Sequence, residues 1–394
     1  MELKNQLVLS NNVNRQYSKE FAGSGGKVGD TINIRKPLRY EVTDGAILNI
    51  QDSVDQSMSL QIDTQQHVGM AFSSKDRALS IENFKERYIG PAMTALANKI
   101  DYSGYQKVYR KVPHFVGVPS ATALPSTLKG FGQARAKIAK SGAPIDGLKA
   151  IVDYDVEASL VNGLSGLFQA SDSLSAQYKK GSMGMASGMD FYASQNVIKH
   201  TIGHVAGTPL TNYATPYVAG STSLVTDGWT ISTTTLKKGD VISIAGVYEV
   251  NPQTRQSTGA LAQFCVMADV TADGSGNITI TLDRGMYASG QYQNVDALPI
   301  DGAAITTFGA TSTYADVIAP QNLVFDKNAF ALVFVDLEQV PGSEVVRDEE
   351  TGISMRLWQQ GDVVNDRLIT RIDVLYAWEC IYPEYACRVV GQPA

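Results

Sequence analysis

Hydrophobic spacing changes period several times along this chain, and each change marks an element. Val28, Asp30, Ile32 and Ile34 sit at period two, as do Met58, Leu60 and Ile62. Pro37, Asp44-Gly45 and a polar stretch to Asp55 lie between them. The pattern predicts a two-stranded arm with a loose tip over residues 28–72. Such an arm has no core of its own and has to borrow one from a neighbour. Residues 1–27 are polar and end in Gly23-Ser24-Gly25-Gly26. They read as a flexible N-terminal arm with room for a short helix between Leu3 and Phe21.

From Ser80, an expected N-cap, the period lengthens. Ile81, Phe84, Tyr88, Ala92, Leu96 and Ile100 recur at three and four, one face of a helix reaching about Arg110. At 1.5 Å per residue this is a rod of roughly 40 Å, kinked or restarted at Pro91. Residues 126–200 read as mixed α/β, with helices over Leu128–Lys140 and Asp155–Leu167, a strand over Leu148–Asp153 and a mobile Gly/Met segment over Gly181–Met189. From Pro216 to Pro320 the chain turns rich in Thr, Ser, Gly and Val. Short strands are expected at Trp229–Ser232, Val241–Ile244, Ala262–Ala268, Ile278–Leu282 and Ala304–Phe308, with a tight turn at Asp273–Asn277. Their spacing suggests a small antiparallel barrel. Mixed character then returns, with a buried strand at Phe330–Val335, a long one at Arg367–Ile381 and a last one at Cys387–Val390. The fold class is α+β, with an all-β segment inserted in an α/β domain. The expected parts are 1–27, 28–72, 73–125, 126–216, 217–320 and 321–394.

Composition narrows the function. The chain has 394 residues, 44% hydrophobic and 18% charged, enough for two or three ordinary globular units. A net charge of -6 argues against gripping nucleic acid through phosphate neutralisation. The densest basic stretches, Lys107–Lys111 and Arg135–Lys140, look like solvated helix faces. Cys265, Cys380 and Cys387 are odd in number and lack CxxC spacing, which points to a reducing compartment without a disulfide framework. Residues 1–12 lack a signal peptide's apolar core, and no apolar run approaches the roughly 20 residues of a membrane span.

Candidate chemistry fails on named residues. Gly23–Lys27 superficially resembles a phosphate-binding loop, but Phe21 stands where its first glycine belongs and Val28 where the Ser/Thr belongs. His200 and His204 have the spacing of a helical zinc pair, yet Thr201 replaces the general-base Glu, so two partly exposed structural histidines are expected. His67 and His114 are isolated. Gly184–Gly188 has Ala186 where a nucleophile elbow needs Ser. Asp153 and Asp155 do not form a catalytic pair. No catalytic, metal or cofactor residue is assigned. The acidic run Asp348-Glu349-Glu350 reads as a solvated loop or a charged contact between subunits.

Four stretches carry a family resemblance. Ala92-Met93-Thr94-Ala95-Leu96-Ala97-Asn98-Lys99-Ile100-Asp101 joins an Ala-rich turn to Leu-Ala-Asn and an acidic residue. Tyr178 to Asp190 places an aromatic and glycines before Gly188-Met189-Asp190-Phe191. Leu236-Lys237-Lys238-Gly239-Asp240-Val241-Ile242-Ser243-Ile244-Ala245-Gly246-Val247 sets a basic-Gly-Asp turn before a strand. Gln360-Gly361-Asp362, Arg371, Tyr376, Pro383-Glu384 and Gly391-Gln392 follow in order. Together they resemble coat proteins of the bacteriophage P22 type, from about residue 80 onward.

The resemblance implies an HK97-like phage coat fold: N-arm, extended hairpin loop, spine helix, peripheral domain and axial domain, with an inserted antiparallel β-barrel domain. It implies a structural protein, not an enzyme, located in the virion and assembled in the bacterial cytoplasm. Its implied partners are further copies of itself in hexamers and pentamers, an internal scaffolding protein, a portal, and double-stranded DNA enclosed without sequence-specific binding. No membrane is involved. The loop Glu249–Gln263 resembles a barrel loop that in the family packs on its own subunit. A second barrel loop, which in the family makes charged contacts across two-fold axes, falls at Tyr217–Gly228, where Asp227 is the only charge. The candidate inter-subunit residues are Arg35, Lys36, Arg39, Asp44, Asp52 and Asp55 of the hairpin, Asp227, Asp348, Glu349 and Glu350. Two alternatives are an encapsulin-like compartment, which usually lacks such an insertion, and a hydrolase with a β-rich accessory domain.

Overall fold

A computed structural model describes residues 7–19, 29–37, 39–40, 42, 45–46, 50, 56–73, 89–164, 184–213, 216–310, 313–348, 352–362, 364–365 and 367–392. The Gly23–Gly26 stretch, Ser80 with the first turns of the expected long helix, and residues 181–183 of the Gly/Met segment lie outside these residues; the rest of that segment, expected to be mobile, forms a short hairpin in which Met185 and Ala186 pair with Asp190 and Met189. The chain divides into two units.

The first unit comprises Met1–Pro37, Asp55–Gly104 and Phe330–Ile381. Its central strand is Arg367–Cys380. One edge of that strand pairs antiparallel with Thr64–Ser73. The other edge pairs first with Ser354–Asp362 and then with Phe330–Val335. Ser343–Arg347 adds an outer strand beside Ser354–Asp362. Phe330–Val335 is buried at every position, as its unbroken apolar run predicts. The expected hairpin forms between Thr31–Arg35 and Ser57–Gln61, with Ile32 opposite Leu60 and Ile34 opposite Met58. Past Ile62 the chain leaves the hairpin, and Thr64–Ser73 joins the central sheet. Period two reads the same in either setting, because it reports one buried face and not the identity of the partner strand.

The N-terminal segment departs from its expectation. Helix α1 spans Val8–Asn11, followed by a 3-10 turn at Gln16–Lys19. Leu7, Leu9 and Val13 are buried. Asn14 N donates to Phe330 O at 3.1 Å and Asn14 O accepts from Leu332 N at 3.0 Å. Residues 7–19 are therefore docked and not loose, because three apolar side chains and a backbone bridge fix them. Helix α2, Gly90–Val108, has 19 residues, a rod of about 28 Å. Pro91 is the second residue of its described part. Within this unit α2 buries Leu96, Ala97, Ile100 and Asp101. Gly104 lies against the Trp378 indole so closely that a β-carbon there would overlap the ring.

The second unit comprises Leu38–Val54, Tyr105–Ala329 and Tyr382–Ala394. A six-stranded mixed sheet runs in the order Phe115–Val116, Ala386–Val389, Asn322–Phe325, Leu148–Val152, Met189–Ala193, Met185–Ala186. Helices α3 (Leu128–Lys140) and α4 (Tyr154–Leu164) form where the 3.6-residue period places them. Phe131, Ala134 and Ile138 of α3 and Val156 and Leu160 of α4 share one core with Leu148, Ala150, Val152, Val324 and Val389.

The Thr/Ser-rich segment has its own core, including Leu224, Trp229, Ile242, Ile244, Phe264, Ile278, Ile280 and Ile305. Two antiparallel three-stranded sheets enclose it. One is Gly207–Thr211, Ser223–Trp229, Ile278–Thr281, and the other Ser257–Cys265, Val241–Val250, Ile305–Thr307. Isolated bridges join them at Leu210↔Ala304 and Val266↔Leu282. The strand expected at Trp229–Ser232 lies earlier, at Ser223–Trp229, and Ser232 adopts a φ of 56° in the turn that follows. Gly207–Thr211 lies before the expected boundary at 216. Its Pro209 hides it from strand reading, since proline enters a ladder only at an edge or an irregularity. Here the register shifts between Gly207 and Leu210.

Candidate functional site

The basic-Gly-Asp turn is an anchor point of the second unit. Asp240 is fully buried. Its carboxylate accepts from Lys237 N at 2.8 Å, Gly203 N at 3.1 Å and His200 Nε2 at 2.8 Å. Because Nε2 donates to a carboxylate, Nδ1 of neutral His200 is the acceptor, and Tyr109 OH lies 3.2 Å from it. Arg110 Nε donates in turn to Tyr109 OH at 3.2 Å. Gly239 holds a φ of 103°, which L side chains rarely adopt, and so turns its carbonyl toward Arg388. Arg388 is wholly buried. Its Nη1 donates to Gly239 O at 2.8 Å and Gln321 Oε1 at 3.3 Å, and its Nη2 lies 3.2 Å from Cys265 Sγ. The guanidinium also covers the Phe308 ring, 5.7 Å from its centroid. Burial pushes the Cys265 and Cys387 thiols up to about 12, so both are inert while covered.

A second polar group binds Glu249, Asn251 and Gln263, at the end of one strand, in the turn after it and on the next strand, to the end of α3. Asn251 Nδ2 donates to Lys140 O at 2.8 Å, and Ser141 Oγ donates to Glu249 Oε1 at 3.0 Å. Gln263 Oε1 accepts from Phe115 N at 3.0 Å and from Lys137 Nζ. Between these groups lies a small apolar cluster of Phe115, Ile202, Val241, Cys265, Phe308 and Val390. Neutral and charged hydrogen bonds set its register, while the apolar contacts supply most of the adhesion.

In the first unit, Asp101 ends the Leu-Ala-Asn-Lys-Ile-Asp motif on α2 and is 1% exposed. Its carboxylate accepts from Val8 N at 2.6 Å, Leu9 N at 3.0 Å, Ser10 N at 3.1 Å and Ser10 Oγ. One carboxylate thus satisfies the free N–H groups at the start of α1. Burial raises the pKa of Asp101. Asp373 is likewise buried and shared by Arg356 Nη2 at 2.8 Å and Arg371 Nε at 2.6 Å. Ser103 Oγ meets Tyr376 OH at 2.6 Å.

These anchors are structural in chemistry. Among the described residues, no group of three or more His, Cys, Asp and Glu side chains could hold a metal ion. His200 stands on the strand Lys199–Thr201 and not on a helix, and it is buried, contrary to the partly exposed pair expected. Of the pair, His204 is exposed, with Nδ1 2.5 Å from Asp316 Oδ2. Among the described residues no helix is long and apolar enough to cross a membrane. Cys265, Cys380 and Cys387 are buried, and none forms a disulfide.

The described candidate contact residues stand on different elements. Arg35 is exposed on the hairpin strand Thr31–Arg35. Lys36 continues the ladder through its N–H to Gln56 O at 2.8 Å. Arg39 pairs with Glu384 of its own chain at 3.3 Å. Asp227 lies opposite Leu210 on a strand and is half-buried. Asp348 is exposed and its carbonyl accepts from Gly352 N at 2.7 Å. Asp44, Asp52, Asp55, Glu349 and Glu350 lie outside the described residues. Sequence reasoning missed the hairpin's apolar side chains: Tyr40, Val42 and Ile50 are 64%, 92% and 81% exposed. It also missed Arg388, whose signal is a charge set among Cys387, Val389 and Val390 in a strand that reads as buried.

The family described as P22 coat protein, gene protein 5, matches residues 2–391. A "Major capsid protein" from Acyrthosiphon pisum secondary endosymbiont phage 1 is 25% identical over 166 residues, covering 40% of this chain and 38% of that relative. A chain of Mycobacterium phage Che8 has the same fold at 12% identity, with a TM-score of 0.51 over 98% of this chain and 91% of that one. A chain from the capsid structure of cyanophage P-SCSP1u aligns with a TM-score of 0.47 at 11% identity, over 93% of this chain and 84% of that one.

Proposed function

The chain belongs to the P22 coat protein family, and we propose that it is the major capsid protein of a tailed bacteriophage, self-assembling into the icosahedral shell around the double-stranded DNA genome. The observation that carries this is the family match along residues 2–391. The anchors fit the task. A subunit that occupies several slightly different environments needs a rigid body and re-aimable contacts. Within the first unit Asp101, and within the second Asp240 and Arg388, each tie together elements distant in sequence.

The shell consists of hexamers and pentamers, with a scaffolding protein during assembly and a portal at one vertex. Assembly takes place in the host cytoplasm and the product resides in the virion. DNA is enclosed and not gripped, in keeping with the net charge of -6. The hairpin lies on a neighbouring copy, where Tyr40, Val42 and Ile50 lose their exposure and Arg35 and Lys36 meet acidic groups such as Asp348. The two three-stranded sheets close into one inserted barrel through the bridges Leu210↔Ala304 and Val266↔Leu282. This domain runs from about Gly203 to Ala310, earlier than composition suggests, because Val205 and the strand Gly207–Thr211 belong to it. The test is the content of native particles. Purified particles should hold this chain as their main protein and nuclease-protected double-stranded DNA inside. Particles filled with a cargo protein instead would overturn the genome-shell reading.

A further inference from the structure

His114 lies where the Thr/Ser-rich segment meets the six-stranded sheet, and it is 1% exposed. Its Nε2 is 3.2 Å from Ser141 Oγ. The two other contacts of that hydroxyl, Glu249 Oε1 at 3.0 Å and Lys137 O at 3.2 Å, are acceptors. The hydroxyl proton therefore points away from the imidazole, and Nε2 must supply the proton of the His114–Ser141 bond. This leaves Nδ1 as the bare nitrogen, and Nδ1 is buried with no partner. An unpaired lone pair there is tolerated. An unpaired N–H on a cationic ring is much more costly.

The charges around the ring are already balanced. Glu249 lies 3.6 Å from Nε2. Lys137 and Arg284 are the cations that face His114, and Arg284 pairs with Asp283 at 3.0 Å. Lys140, Cys387 and Glu384 act on these cations from further out. A proton on His114 adds a third cation against two carboxylates and aims a new N–H at nothing. Burial accordingly depresses His114 to about 3, with Glu249 pulling the other way and Lys137 and Arg284 adding to the depression. Burial alone would raise Glu249, but His114, Lys137, Arg284 and the Ser141 hydroxyl outweigh it and hold its pKa low.

We propose that His114, Ser141 and Glu249 form an acid-released latch. Protonation of His114 opens the seam between residues 249–256 and residues 114–141, while the core of the Thr/Ser-rich segment and the core under α3 stay closed. The two cores share no residue, so each can survive the opening. The inference does not depend on the shell reading. For a histidine depressed in the closed state, the closing advantage is complete above the free value of about 6.5 and is lost as pH falls toward the closed-state value. The ratio of closed to open seam falls about tenfold per pH unit in that window.

Hydrogen exchange of the full chain tests this at pH 7.5, 6.0 and 5.0, corrected for intrinsic exchange. Peptides over residues 112–119 and 249–256 should lose protection about tenfold per pH unit below 6.5. Peptides over 131–138 and 278–282 should keep theirs. In H114Q, whose amide can still donate to Ser141 but cannot titrate, seam protection should not change between pH 7.5 and 5.0. H114N gives the same reading should H114Q not fold. Flat protection in the wild type, or the same loss in either variant, overturns the proposal.

Discussion

Replacing Asp240 by Ala removes one carboxylate and strands three donors, two of them buried: Lys237 N, Gly203 N and His200 Nε2. The methyl group reaches none of them, and Asp240 is fully buried, so water cannot substitute without opening the turn. Breaking a buried, hydrogen-bonded charge in this way costs about 3–5 kcal/mol. That is a large part of a typical domain stability of about 5–15 kcal/mol. The damage should concentrate where the turn meets Arg388, because Gly239 O is that side chain's acceptor. Cys265 is a reporter in place: its Sγ touches Arg388 Nη2 and Val112 O, and it is buried. Thiol labelling read by peptide mass spectrometry should therefore run roughly two to four orders of magnitude faster at Cys265 in D240A than in the wild type. D240N keeps the size but turns an amide N–H toward donors, and should fall between. Cys380, in the sheet of the other unit, is the internal reference. An acceleration of less than about fivefold, or roughly 1 kcal/mol, would show that the turn is not the anchor described.

Gly104→Ala forces a β-carbon into the Trp378 ring; it should cost about 1–3 kcal/mol, read as a lower urea midpoint for tryptophan fluorescence, and an unchanged midpoint would contradict the packing. Asp101→Asn leaves one acceptor for the N–H groups of Val8, Leu9 and Ser10, so trypsin should cut at Arg15 well before it cuts the rest of the chain. Asp101 also has the opposite pH sign from His114. Its folded pKa is raised by burial, so its contribution is complete below the free carboxyl value and is lost as pH rises through the folded one. Acidification from pH 7.5 to 5.0 should therefore leave exchange at residues 8–10 unchanged or slower. Deleting residues 38–54 should leave the chain folded by circular dichroism but unable to form closed particles; normal particles would remove the hairpin from the contacts between copies.

Periodicity carried the elements whose burial is local. Helices α3 and α4 and the strand Phe330–Val335 follow from spacing alone, because one face or a whole run has to leave water. Spacing was silent where the partner lies far along the chain. Thr64–Ser73 shows the same alternation as the hairpin strand before it, yet its partner is Arg367–Tyr376. The strand Gly207–Thr211 is masked by Gly207 and Pro209, and only its pairing with Ser223–Trp229 reveals it. Resemblance located Asp101 and Asp240 within motifs but gave no reason for a carboxylate there. The reason is three-dimensional: each gathers backbone N–H groups from a segment that sequence does not place beside it. His114, Ser141 and Glu249 lie up to 135 positions apart (249 minus 114) and left no linear signal at all.

The central claim is that this chain builds a shell. Purified after expression with its scaffolding protein, and examined by negative-stain electron microscopy together with sedimentation, it should form closed, uniform particles of megadalton mass. A monodisperse monomer or small oligomer under the same conditions, with the chain fully folded, would contradict it.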